Sequence, residues 1–137
     1  MTVVNDAYNA NPESVAAALR ALVAMAGTER RSWAVLGPLA ELGEATAQAY
    51  RTIGALVVSL GVNRLVVVGE QARSLYSSAS ASPTGRSAPE LVADVAAALE
   101  LLHGELAPGD VVLIKASRRV GLERIAEGLL DAEGSNR

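Results

Sequence analysis

The sequence predicts an α/β fold, a doubly wound, mostly parallel sheet of Rossmann-like type with helices on both faces. Short apolar runs at Val3-Val4, Ser32–Leu36, Arg64–Val68 and Val111–Ile114 alternate with stretches whose apolar residues recur at helical spacing. Each run gives way to a glycine-bearing or polar loop, as strands of a sheet covered on both sides do. Half of the 137 residues are apolar, enough for one domain with its own core.

Val3-Val4 reads as the end of a first strand, and the polar loop Asn5–Asn11 follows it. Asn11-Pro12-Glu13 then starts a helix, with Asn as N-cap, Pro at the first helical position and Glu beside the positive end of the dipole. Val15, Leu19, Leu22, Val23 and Ala26 form one face of that helix, which Gly27 stops. Ser32–Leu36 is a buried strand ending at Gly37-Pro38, with Trp33 in the core or at the sheet edge. After the Gly37–Glu44 loop, Ala49, Ile53, Leu56, Val57 and Leu60 mark a second helix, ended by Gly61. Arg64–Val68 is the third strand, followed at Gly69 by a short helical piece over Gln71–Tyr76.

Ser77–Ser87, rich in Ser, Ala, Pro and Gly, is expected to be a mobile loop, and a weak edge strand has no definite place in the pattern. Pro89-Glu90 is expected to open a long helix carrying Val92, Val95, Leu99, Leu102 and Leu106. Pro108-Gly109-Asp110 turns into the strand Val111–Ile114. A last helix puts Leu122, Ile125, Ala126 and Leu129 inward, and a polar tail from Asp131 to Arg137 is expected to fray.

Composition narrows the chemistry. The absence of cysteine removes disulfides, thiolate zinc sites and cysteine nucleophiles, and fits a cytoplasmic protein. A net charge of −3 with both signs interspersed offers no basic stripe for nucleic acid and no polybasic membrane face. No apolar run is long enough to span a bilayer, and the strand at the start of the chain leaves no room for a signal peptide. A chain that begins directly on a core strand reads as a domain cut from something longer. His103 is the sole histidine and is expected to be solvated or capping, so no Ser/His/Asp set and no metal site are expected.

Ligands of such sheets sit beyond the carboxyl ends of the strands, so the loops at Asn5–Asn11, Gly37–Glu44, Gly69–Gln71 and Lys115–Gly121 should share one edge. Neither a Gly-x-Gly-x-x-Gly run nor a P-loop is present, so this chain alone lacks the usual triphosphate cradle. It offers complementary groups instead. Asp6, Asn9 and Asn11 could hydrogen-bond an adenine or ribose or simply satisfy a capped turn, and Lys115, Ser117, Arg118 and Arg119 could meet a phosphate or carboxylate or form a solvated basic turn before a helix. Glu41 and Glu44 are either an acid/base pair or, more commonly at such positions, first-turn charges.

Three stretches carry a resemblance. Asp6-Ala-Tyr-Asn-Ala-Asn-Pro-Glu-Ser14, Val35-Leu-Gly-Pro-Leu-Ala-Glu-Leu-Gly43 and Gly109-Asp-Val-Val-Leu-Ile-Lys-Ala-Ser117-Arg118 resemble the signatures of the C-terminal domain of the Mur ligases. The Tyr8–Pro12 run resembles the branch of that family that adds D-alanyl-D-alanine to UDP-N-acetylmuramoyl-tripeptide. The resemblance implies a bacterial, cytoplasmic, three-domain ligase of peptidoglycan synthesis that uses ATP and Mg²⁺, of which residues 1–137 are the third domain. The N-terminal and central ATP-binding domains would be absent, and with them the P-loop and the magnesium ligands, leaving a domain inactive by itself. On this likeness Asp6, Tyr8, Asn9 and Asn11 border the nucleotide. Lys115, Ser117 and Arg118 face the reacting end, with Arg119 beside them near the dipeptide carboxylate.

This chain departs from the family pattern at Pro38 and Leu39, where an acidic residue and a methionine are common, and at Ala116 and Arg119, where glycines are common. Ala49-Tyr50 replaces a frequent Glu-His pair. Other expectations compatible with the same pattern are a related amide ligase, of another Mur or folyl-polyglutamate type, and a free-standing Rossmann-type ligand-binding module.

Overall fold

In the computed structural model, residues 2–5, 12–39, 46–80, 89–115, 125 and 127–129 are described. Among the described residues ten elements run in the order β1 (Thr2–Asn5), α1 (Pro12–Ala26), β2 (Ser32–Leu36), α2 (Thr46–Leu60), β3 (Arg64–Val68), a 3₁₀ turn (Glu70–Ala72), α3 (Arg73–Ser80), β4 (Glu90–Val92), α4 (Val95–Glu105) and β5 (Val111–Lys115). The strands form one sheet in the order β1-β5-β2-β3-β4, and every pairing is parallel. The expected doubly wound α/β architecture is what the chain adopts.

Successive strand residues point to opposite faces, and the core divides accordingly. Ala34, Leu36, Leu65, Val67, Val111 and Leu113 pack under α1, α2 and α3, where Val15, Leu19, Leu22, Ile53, Val57 and Leu75 meet them. Trp33, Val35, Val66, Val68, Val112 and Ile114 face the other way, against Ala98 and Leu102 of α4 and against Ile125 and Leu129 near the end of the chain. Because β2, β3 and β5 are covered on both faces, they read as continuous apolar runs rather than alternating ones.

Three expectations fail. Residues 77–80 of the expected mobile loop belong to α3. Packing against α2 overrides the poor helix propensity of the serines, and the Ser80 hydroxyl donates to the Tyr76 carbonyl at 2.8 Å. Residues 81–88 lie outside the described residues. The helix expected from Pro89 begins only at Val95, capped by Asp94, whose carboxylate accepts from the Ala97 amide at 2.9 Å. Glu90–Val92 is instead the edge strand that had no place in the pattern, paired with β3 from Val66↔Glu90 to Val68↔Val92. Neighbouring main chain outcompeted the local helical spacing of Val92 and Val95. Lys115, expected to start a loop, is the last residue of β5.

Trp33 lies wholly in the core, and His103 is exposed in the last turn of α4, a solvated position at the helix's negative end. The expected tail from Asp131 lies outside the described residues, as do Leu122 and Ala126 of the expected last helix.

Candidate functional site

The strand order decides where a ligand can enter. From β1 through β4 the chain passes by way of α1, α2 and α3 along one face of the sheet. It then returns along the other face through α4, and β5 inserts between β1 and β2. The carboxyl end of β5 is therefore the point where the winding reverses, the place at which open α/β sheets form a crevice.

Lys115 occupies that end. Its side chain is 2% exposed. Alternation along β5 places it on the same face as Val111 and Leu113, under α1 and α2. A lysine at the carboxyl end of a sheet strand can meet a phosphate or a carboxylate.

The neighbouring exits are tied to it. Asn5, the last residue of β1, pairs with Ile114, so the chain leaves β1 just short of the level of Lys115. On the other side Leu36 pairs with Lys115, and the Gly37 amide continues the ladder by donating to the Lys115 carbonyl at 3.1 Å. Beyond Gly37, the Leu39 amide donates to the Tyr50 hydroxyl at 3.2 Å, inside the core. The exit of β3 is anchored too. Gly69, at φ +96°, donates to the Val92 carbonyl at 2.8 Å and accepts from the Ala72 amide at 3.0 Å. Few residues but glycine adopt that φ, so the chain can turn at once into the 3₁₀ segment.

Arg73 and Glu70 pair across this turn in water. The hydrogen bond from Arg73 holds the Glu70 carboxyl below its ordinary range, and the same bond raises Arg73. Among the described residues no group of His, Asp and Glu could hold a metal ion, and no helix is long and apolar enough to cross a membrane.

Of the expected site residues, Lys115 lies at the carboxyl end of β5, where the winding reverses. Asp6, Tyr8, Asn9, Asn11, Ser117, Arg118 and Arg119 lie outside the described residues, as do Glu41 and Glu44. The sequence reading marks Tyr50 only as a departure from the family pattern and gives it no role. It marks Pro38 in the same way, since the missing N–H matters only once its segment is seen to be buried.

Residues 1–118 match the family described as Mur ligase, glutamate ligase domain. The chain is 47% identical to the UDP-N-acetylmuramoyl-tripeptide--D-alanyl-D-alanine ligase of Mycobacterium leprae, over 95% of this chain and 28% of that enzyme. It is 34% identical to the enzyme of the same name from Treponema pallidum, over 97% of this chain and 28% of that one. The chain thus spans less than a third of the length of these relatives. The MurF ligase of Thermotoga maritima, solved in complex with ADP, superposes with a TM-score of 0.77 at 26% identity, covering 98% of this chain and 29% of that one. A MurF structure from Acinetobacter baumannii gives 0.74 at 26% identity, covering 92% of this chain and 27% of that one.

Proposed function

We propose, from the premise that this chain belongs to the Mur ligase C-terminal, or glutamate ligase, domain family, that it serves a cytoplasmic ligase joining D-alanyl-D-alanine to UDP-N-acetylmuramoyl-tripeptide in peptidoglycan synthesis. The observation that carries this reading is the likeness over nearly the whole chain to ligases of that name, at 47% and 34% identity. The names of the relatives point to the same pair of substrates. In the reaction, ATP phosphorylates the tripeptide carboxylate, and the dipeptide amine attacks the acyl phosphate to give an amide, ADP and phosphate.

This chain has no P-loop, and its described residues hold no carboxylate cluster for Mg²⁺, so nucleotide and metal would be held chiefly by a central domain of the complete ligase. What the chain supplies is closure. Asp6, Tyr8, Asn9 and Asn11, which follow β1 in the sequence, are the residues we assign to the adenine and ribose. Lys115, with Ser117, Arg118 and Arg119 directly after it, presents positive charge and donors to the phosphate and to the dipeptide carboxylate. Bringing this edge over the nucleotide excludes water and fixes the reactants. The isolated chain should form no amide bond.

The test is the complete ligase carrying Asn9→Ala with Asn11→Ala. The apparent KM for ATP is expected to rise about tenfold, as the loss of one or two ligand hydrogen bonds would give, with the KM for D-alanyl-D-alanine little changed. Unaltered kinetics would remove both asparagines from the nucleotide site.

A further inference from the structure

Gly37, Pro38 and Leu39 are buried although they form no strand or helix. A buried irregular segment must satisfy its amides inside the protein. The account closes here with three different solutions. Gly37 donates to the Lys115 carbonyl, Pro38 has no N–H to satisfy, and Leu39 donates to the Tyr50 hydroxyl. Tyr50 is 4% exposed and packs in the same core layer as Leu36 and Leu39. From the far side, Gly69 at the exit of β3 faces the same segment, since a Cβ built there would lie 3.8 Å from the Pro38 ring. A strap three residues long therefore links the ends of β5, β2 and β3, and its distal amide is held by one side-chain oxygen.

We infer that Tyr50 is a positioning residue for the dipeptide half of the cleft, acting through the Gly37–Leu39 strap that flanks Lys115. This rests on the ligase reading above and divides its site in two. The strand order is β1-β5-β2, so the β1 exit, assigned to the nucleotide, and the strap lie on opposite sides of Lys115. A change in the strap is felt on the side away from β1. Pro38 belongs to the same device, because any other residue there would add a buried donor that needs an acceptor.

The experiment is steady-state kinetics of the complete ligase with Tyr50→Phe, which keeps the ring and removes the acceptor. The apparent KM for D-alanyl-D-alanine is expected to rise about fivefold, the scale of one lost buried hydrogen bond, and the KM for ATP to stay within about twofold. Tyr76→Phe, on α3, whose hydroxyl takes neither of the strap's amides, should change neither constant. Pro38→Ala, which leaves Tyr50 intact, should raise the dipeptide KM in the same direction, and it carries the test if Tyr50→Phe does not fold. A purely structural Tyr50 would lower the melting temperature and leave both constants alone. That result, or an equal rise in both, overturns the inference. A wild-type ligase that forms no amide with the dipeptide overturns the ligase reading itself, which a silent Tyr50→Phe in an active enzyme does not.

Discussion

Asp110 shows how one side chain can organise the pole of the sheet opposite the cleft. Its side chain is 4% exposed and its carboxylate is fully engaged. Arg31 donates through Nη2 at 2.8 Å and Nε at 3.2 Å, the Trp33 indole at 2.9 Å and the Ala107 amide at 3.0 Å. Arg31 and Arg64 also lie against the Trp33 ring, at 5.4 and 4.9 Å from its centroid. Arg64 in turn pairs with Glu90 and Glu105, joining β3 to β4 and α4.

Burial by itself would raise the Asp110 pKa, but the bonds from Arg31, Ala107 and Trp33, with the charge of Arg31, outweigh it and hold the carboxyl below its usual range. A depressed folded pKa contributes stability that is present above the unfolded value and lost as pH falls through the folded one. The protein should therefore lose stability from about pH 4 downward. Asp110→Asn should cost about 2 kcal/mol at pH 7 and flatten that acid dependence. Urea unfolding across the acid range reads both, and a variant with the wild-type acid slope would place the acid sensitivity elsewhere.

At the scale of elements, the contact between α2 and α3 turns on a missing side chain. A Cβ on Gly54 would lie 2.7 Å from the Ser78 Cβ and 3.0 Å from the Ala79 amide nitrogen. Neither atom can swing aside without moving α3. Alanine ordinarily gains about 1 kcal/mol over glycine inside a helix, whereas forced overpacking costs about 1–3 kcal/mol. The clash wins, so Gly54→Ala should lower the melting temperature. Gly104→Ala is the matched control, because nothing lies within 4 Å of its Cβ on α4. It should stabilise by about 0.5–1 kcal/mol. Shifts of the same sign in the two variants would refute the packing argument.

Over the whole molecule the two edges of the sheet divide the work. The amino edge holds the Arg31, Trp33, Asp110 and Arg64 network, and the carboxyl edge holds Lys115 and its strap. Amide NMR titration of the isolated chain should respect that division. Mg-ATP is expected to move resonances of Asp6–Asn11, and D-alanyl-D-alanine those of Lys115–Gly121, with the amides of Arg31, Trp33 and Asp110 unmoved. Shifts centred on the amino edge would contradict the placement of the site.

The sequence by itself determined what local periodicity can carry. The alternation of strands and helices, the faces of α1 and α2, and the bounds of β2 and β3 could all be read from spacing and from the stops at Gly27 and Gly61. The signature stretches carried the family. Only the tertiary structure decided which strands are neighbours: that β5 enters between β1 and β2, that Glu90–Val92 is a strand, and that Lys115 ends up buried. It likewise decided that Arg31 and Trp33 meet Asp110 across 79 and 77 residues, and that Tyr50 serves the Leu39 amide. Helical and strand spacing are set by the geometry of adjacent residues, whereas the acceptor a buried donor finds depends on which distant segments the core brings together.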